Sequence, residues 1–207
     1  VMEVLGDDAA VIFAWYGSME KPNFEGGRSI LYRTQRGNLL RPPEVEAARN
    51  RLWRARARRE RPGVDNKVLA EWNAMFCSTL CEAAAATGND GWRRAAIEIG
   101  AIILGPLRQS SGRFLRSLRA DSDAPLAMAT DYGWIVDCLT RLAELTGEGH
   151  YLDAAIQVAD DLIELFGAPG GGWYLTGRDR DQLIVRPSDR SDGVTAAAGS
   201  IAASALA

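Results

Sequence analysis

Two stretches of the chain repeat one another at a constant offset. Thr87-Gly88-Asn89-Asp90-Gly91-Trp92-Arg93-Arg94-Ala95-Ala96-Ile97 returns 59 residues later as Thr146-Gly147-Glu148-Gly149-His150-Tyr151-Leu152-Asp153-Ala154-Ala155-Ile156. The same offset pairs Leu80 with Leu139, Ala84 with Ala143, Ile99 with Val158, Gly112 with Gly171 and Phe114 with Trp173. Each copy reads as a helix, a short Gly turn, a second helix and a Gly-led aromatic strand. Units of this size and content stack or close into a ring, because one hairpin alone cannot bury its apolar face. The expectation is a mainly α fold of helical hairpins with short β-hairpins in the loops.

Composition agrees with a globular core and excludes little else. With 207 residues, 47% of them hydrophobic, the chain is long enough for one sizeable core. A net charge of −3 gives no global field towards nucleic acid or membranes. No apolar run approaches the ~20 residues that span a bilayer. Val1–Tyr16 carries Glu3, Asp7 and Asp8, unlike a secretory leader. Cys77, Cys81 and Cys138 lie in apolar helical stretches, and an odd count without paired spacing points to core thiols in a reducing, cytoplasmic setting. No cofactor or metal is expected. The chain starts at Val1-Met2 and stops within Ala202-Ala203-Ser204-Ala205-Leu206-Ala207, which reads as a fragment truncated at both ends.

Along the chain, Asp7–Tyr16 reads as a short helix ended by Gly17, and Ile30-Leu31-Tyr32 as a strand. Pro42–Glu60 is helical and rich in arginine, opened by two prolines near a first-turn position. Its arginines go round the helix and no aromatic platform accompanies them, so the expected packing side is Val45, Leu52 and Trp53 rather than a nucleic-acid contact. The first repeat helix is expected over about Asp65–Thr87, its return over Trp92–Leu104, and a strand over Gly112–Leu118. The second hairpin is expected over Thr130–Leu145 and Tyr151–Phe166. A β-hairpin is expected from Gly170–Thr176 and Leu183–Arg186, and a third inner helix near Gly193.

Four phrases carry a family resemblance. Asn23-Phe24-Glu25-Gly26; Arg61-Pro62-Gly63-Val64-Asp65-Asn66-Lys67-Val68-Leu69 with Trp72-Asn73; Asp131-Tyr132; and Arg186-Pro187 with Asp192-Gly193 resemble, in this order, the YyaL-like family that includes spermatogenesis-associated protein 20. The resemblance implies an N-terminal thioredoxin-like domain, absent here, followed by a six-hairpin (α/α) toroid. Residues 1–207 would then be a fragment of that single toroid domain. It also implies kinship with N-acylglucosamine 2-epimerases and unsaturated glucuronyl hydrolases, hence a carbohydrate-active or carbohydrate-binding domain with a small-molecule, sugar-like ligand. Nucleic acid and membrane are not expected partners.

The repeat places these motifs. Trp72-Asn73 and Asp131-Tyr132 fall at equivalent positions near the starts of successive inner helices, and Asp192-Gly193 lies about one period on. In a ring, equivalent positions face one mouth, as a small-molecule site requires. Asp131, Asp192 and Asp65 are the candidate catalytic carboxyls, since glycoside hydrolysis needs two; each is equally placed to cap a helix. Trp72 and Tyr132 offer stacking faces, and Asn73 offers hydrogen bonds. Trp134 is either a further stacking face or core. Lys67 either balances Asp65 or sits free, and Arg186 belongs to the motif.

His150, the sole histidine, falls at the start of a return helix, away from Asp131, so the proton-transferring histidines of the epimerases have no counterpart. The family usually has His-Leu-Asp-Asp-Lys where Gly63-Val64-Asp65-Asn66-Lys67 stands here. It usually has Ser and Asn where Ala197 and Gly199 stand. The alternative to an epimerase-like or hydrolase-like enzyme is therefore a non-catalytic scaffold with a degenerate pocket. Asn23-Phe24-Glu25-Gly26 either places Glu25 at the same mouth or forms a turn in which Gly26 and Gly27 supply positive φ, and the turn is the favoured reading.

Overall fold

The computed structural model describes every residue except 18–21, 34–36, 38–39, 119–123 and 181–183. The chain falls into two compact units, Val1–Val64 and Asp65–Ala207.

In the first unit, α1 (Met2–Leu5) leads through a 3-10 turn, Gly6–Asp8, into α2 (Ala9–Tyr16), which Gly17 ends with φ 82°. The basic stretch forms α3 (Pro43–Ala57), with Pro43 in the first turn where its missing N–H costs nothing. Leu5, Ala9, Ile12, Val45 and Ala48 are buried together, with Leu52 half-buried beside them. Trp53 does not join them: it is 67% exposed. Phe24 bridges Arg28 around Gly26 and Gly27, both at positive φ, so the Asn23-Phe24-Glu25-Gly26 phrase is a turn as expected. The Asn23 amide closes that turn on the Ile30 backbone, donating at 3.0 Å and accepting at 2.7 Å. Ile30–Tyr32 is not a strand; Ile30 and Tyr32 are both exposed.

The second unit carries the repeat. A two-residue strand, β1 (Val68–Leu69), pairs antiparallel with β2 (Ser117–Leu118). The helices are α4 (Ala70–Thr87), α5 (Asp90–Leu104), α6 (Ala129–Thr146), α7 (Gly149–Phe166) and α8 (Ala198–Ala205). Gly88 and Gly147 end α4 and α6 in the left-handed region, at φ 67° and 75°, where a side chain would be strained. Their N–H groups return to Ala84 and Ala143, one repeat apart. Asn89 then caps α5 by accepting from the Gly91 and Trp92 N–H groups.

Inner helices pack on inner helices: α6 lies against both α4 and α8, while α5 and α7 return behind α4 and α6. The core between these layers is built from Ala74, Cys77 and Leu80 of α4, Ile135, Leu139 and Leu142 of α6, and Ile103, Val158 and Leu162 of the return helices. Gly100 lets α5 come close, since a Cβ there would stand 2.6 Å from Leu142 Cδ1. Gly133 does the same for α8, with Ile201 Cγ2 at 2.8 Å from a would-be Cβ. This two-layer order, inner helix beside inner helix with returns outside, is a partial (α/α) toroid of helical hairpins. Cys77, Cys81 and Cys138 are free and buried, as expected.

The repeat extends into the loops. Leu115 N–H donates to Leu107 O and Tyr174 N–H to Phe166 O, both at 2.8 Å. Arg108–Phe114 and Gly167–Trp173 form isolated bridges at the same offset. Regular strand is confined to β1 and β2 among the described residues, so neither the Gly112–Leu118 strand nor the Gly170–Arg186 hairpin forms at its expected length; Leu183 lies outside the described residues. α4 begins at Ala70, five residues after Asp65, because β1 takes the intervening chain. The third inner helix begins at Ala198 rather than near Gly193.

Candidate functional site

Each inner helix begins with backbone N–H groups that lack intrahelical partners. The loops of the second unit satisfy them in a repeated way: Ala70 N–H donates to Arg116 O at 2.9 Å, and Ala129 N–H to Leu175 O at 3.1 Å. Asp131 completes the arrangement. Its Oδ2 accepts from Met128 N–H at 2.7 Å, and its Oδ1 accepts from Glu71 N–H at 3.1 Å. One carboxylate thus caps its own helix and the start of its neighbour α4. It is fully buried, with Arg116 Nη1 4.0 Å away. Burial pushes its pKa up to about 6, against the opposing pull of the Met128 N–H and the Arg116 guanidinium.

The other expected site residues do not gather around it. Tyr132 is buried, edge-on to Phe114 at 5.5 Å between ring centroids, with its hydroxyl held by Arg113 Nη1 at 2.5 Å; its ring is core and not a stacking floor. Trp72, at the same helical position as Asp131, is 64% exposed. Asn73 turns back to donate to Leu69 O at 2.8 Å. Asp65 and Lys67 pair with each other at 3.0 Å ahead of β1, which takes Lys67 out of the free alternative. Arg186 donates to Leu165 O at 3.0 Å and to Thr176 O and lies over the Tyr174 ring, pinning the loop after α7. His150 is exposed beside Glu148, consistent with its surface reading.

Asp192 has a different post. Its Oδ1 accepts from Ala197 N–H at 2.8 Å, just before α8, and the Ser200 side chain also bonds it. These bonds hold its carboxyl below the ordinary range. Ala197 and Ser200 line an open cavity of about 740 Å³ together with Gly171, Trp173, Asp189 and Arg190.

A polar cluster that sequence reasoning missed bridges α4 and α6. The Ser78 hydroxyl donates to Asp137 Oδ2 at 2.6 Å. Arg141 Nε donates to the same carboxylate at 3.0 Å, and its Nη1 reaches Glu82 Oε1 at 2.6 Å. With Thr79 and Trp134 these residues line a groove of about 260 Å³ that continues to Ser204 of α8. Ser78 and Asp137 are one repeat apart, and so are Glu82 and Arg141. Extending the 59-residue offset to polar positions would have found them. Chemically, the cluster presents carboxylate, guanidinium and hydroxyl groups beside an indole, which suits hydrogen bonding to a polyhydroxy ligand. Neighbouring His, Cys, Asp and Glu side chains form no group of three able to hold a metal among the described residues. No described helix is long and apolar enough to cross a membrane.

No family model matches the chain. Spermatogenesis-associated protein 20 of Mus musculus is 29% identical over 178 residues, which cover 77% of this chain and 22% of that protein. The protein of the same name from Homo sapiens is 28% identical over 77% of the chain. An uncharacterised protein of Caenorhabditis elegans is 24% identical over 78%. The chain spans about a fifth of the length of these relatives (22–23%). Among solved structures, a glycoside hydrolase family 76 mannosidase from Bacteroides thetaiotaomicron aligns with a TM-score of 0.47 and 21% identity, over 53% of this chain and 32% of that one. The motif-based resemblance therefore stands, and the chain is a homologue of one segment of spermatogenesis-associated protein 20.

Proposed function

We propose that the repeat-bearing unit is an arc of a toroid wall in a carbohydrate-binding domain, with the ligand meeting the polar face of α4 and α6. The observation that carries this reading is the Ser78–Asp137–Arg141–Glu82 cluster. Polar groups occupy an inner-helix face, with Trp134 beside them in a groove open to solvent. Binding is favoured over turnover. Of the candidate catalytic carboxyls, Asp131 is buried and engaged by two backbone donors, Asp192 accepts from Ala197, and Asp65 is paired with Lys67. The histidine and second carboxylate of the family motif are replaced by Gly63 and Asn66. A non-catalytic scaffold is the second reading, and the same engaged carboxyls favour it. A thioredoxin-like domain ahead of this segment, a cytoplasmic setting and the membership of residues 1–64 in the same toroid domain are carried forward as parts of the proposal.

The test is ligand-observed NMR on the full chain with a panel of mono- and oligosaccharides. Saturation transfer to a sugar, lost in Asp137→Asn and Arg141→Met, supports the wall as the binding face. Absence of transfer to every sugar in the panel leaves the scaffold reading.

A further inference from the structure

Trp53 lies on the side of α3 away from the buried Val45 and Ala48. Arg54, Arg56, Arg58, Arg59 and Arg61 follow it, with Glu60 the single acid in that run. Arg41, Arg49 and Arg51 of the first unit form ion pairs with Glu46 and Asp8. Among the described residues, no carboxylate pairs with the five arginines that follow Trp53. Past the last turn of α3, Arg58 N–H donates to Ala55 O and Arg59 N–H to Arg56 O. The chain then bends so that Trp53, Arg56, Arg59, Glu60, Arg61 and Pro62 line one cleft of about 180 Å³.

The arginines go round the helix, and the lack of an aromatic platform is the other reason to read this run as a plain solvated face. The structure supplies that platform, because Trp53 stands out of the core and within the run. The helix C-terminus contributes roughly half a negative charge, and Glu60 one more, which together do not neutralise the three guanidinium groups that line the cleft. A ligand that completes the cleft therefore brings both negative charge and a flat ring. A carboxylate or a bare phosphate supplies only the first. A nucleotide supplies both: its base stacks on an indole face, and its phosphate takes paired N–H donors from arginine.

We propose that this cleft binds a nucleotide, with the base on Trp53 and the phosphate on Arg56, Arg59 and Arg61. The site is independent of the sugar-binding reading, which concerns the other unit.

The experiment titrates AMP, inorganic phosphate and a labelled oligodeoxythymidylate strand into the full chain, by calorimetry and fluorescence anisotropy. AMP is expected to bind more tightly than inorganic phosphate and to weaken as salt rises. Trp53→Ala is expected to lose about tenfold or more in affinity, and Trp53→Phe to recover part of it. Arg56→Ala with Arg59→Ala is expected to abolish binding. All these side chains are exposed, so circular dichroism should be unchanged in each variant. A strand that outbinds AMP and is displaced by it identifies the nucleotide as part of a polymer; the reverse order identifies a free nucleotide. The proposal is overturned if AMP does not bind, if inorganic phosphate binds as tightly as AMP, or if the variants bind like the parent chain.

Discussion

The hydroxyl of Ser78 donates to the carboxylate of Asp137 at 2.6 Å, joining equivalent positions of successive repeats across two parallel inner helices. Glu82 and Arg141 do the same one turn further on. A sequence repeat has become a set of direct contacts between its own copies.

That contact predicts measurable coupling. Ser78→Ala should cost about 1 kcal/mol, and Asp137→Ala about 2 kcal/mol, because the latter also strips Arg141 of a partner. In a double-mutant cycle followed by urea denaturation, the pair should couple by at least about 0.5 kcal/mol. Additive effects would mean that the bond contributes nothing net.

Asp131 should make stability depend on pH. Its folded pKa, about 6, lies above the ordinary aspartate value. The folded chain therefore holds this proton more tightly than the unfolded one. The associated stability is full below the unfolded pKa and is lost as pH rises through about 6. Asp131→Asn cannot ionise, so its stability should fall less than that of the parent between about pH 4 and pH 7. It should also be less stable by about 1–3 kcal/mol at low pH, since its amide turns a donor towards one of two backbone N–H groups. Equal slopes in the two proteins would sink the assignment.

Gly133→Ala pits two effects against each other. Alanine favours helix by about 1 kcal/mol, but its Cβ would stand 2.8 Å from Ile201. Overpacking of this kind costs about 1–3 kcal/mol, so net destabilisation is expected. Ile201→Ala should relieve the clash, making the double variant more stable than the sum of the singles. Thermal melts of the four proteins decide it.

Removing the Asp192 carboxylate should act locally. Asp192→Ala gives up the acceptor for Ala197 N–H and should loosen the start of α8. Hydrogen exchange should speed up in α8 while α4 and α6 keep their protection. Uniformly faster exchange would place Asp192 in the global fold instead.

The hairpins were legible because their signals are local. Gly88 and Gly147 announce left-handed helix ends, and the apolar spacing of α4 to α7 follows the helical period. Helix starts were harder. Asp65 and Asp192 look like caps, yet β1 occupies the chain after one, and a bent loop separates the other from α8. Burial was least legible. Aromatic residues are apolar on either side of a helix, so Tyr132 passed for a ligand platform and Trp53 for core, while the structure reverses both. The polar cluster was hidden for a related reason: Ser78 and Glu82 look like ordinary surface residues until their repeat partners are set opposite them.

The three thiols have a practical consequence. Cys77, Cys81 and Cys138 are 0%, 4% and 0% exposed, and hydrogen bonding between the thiols, with burial added, raises the pKa of Cys77 and Cys81. Buried, protonated thiols are inert towards alkylating reagents. Each labelling event then records a moment when the core shared by α4, α5 and α6 has opened, so the chain carries a built-in clock for that opening.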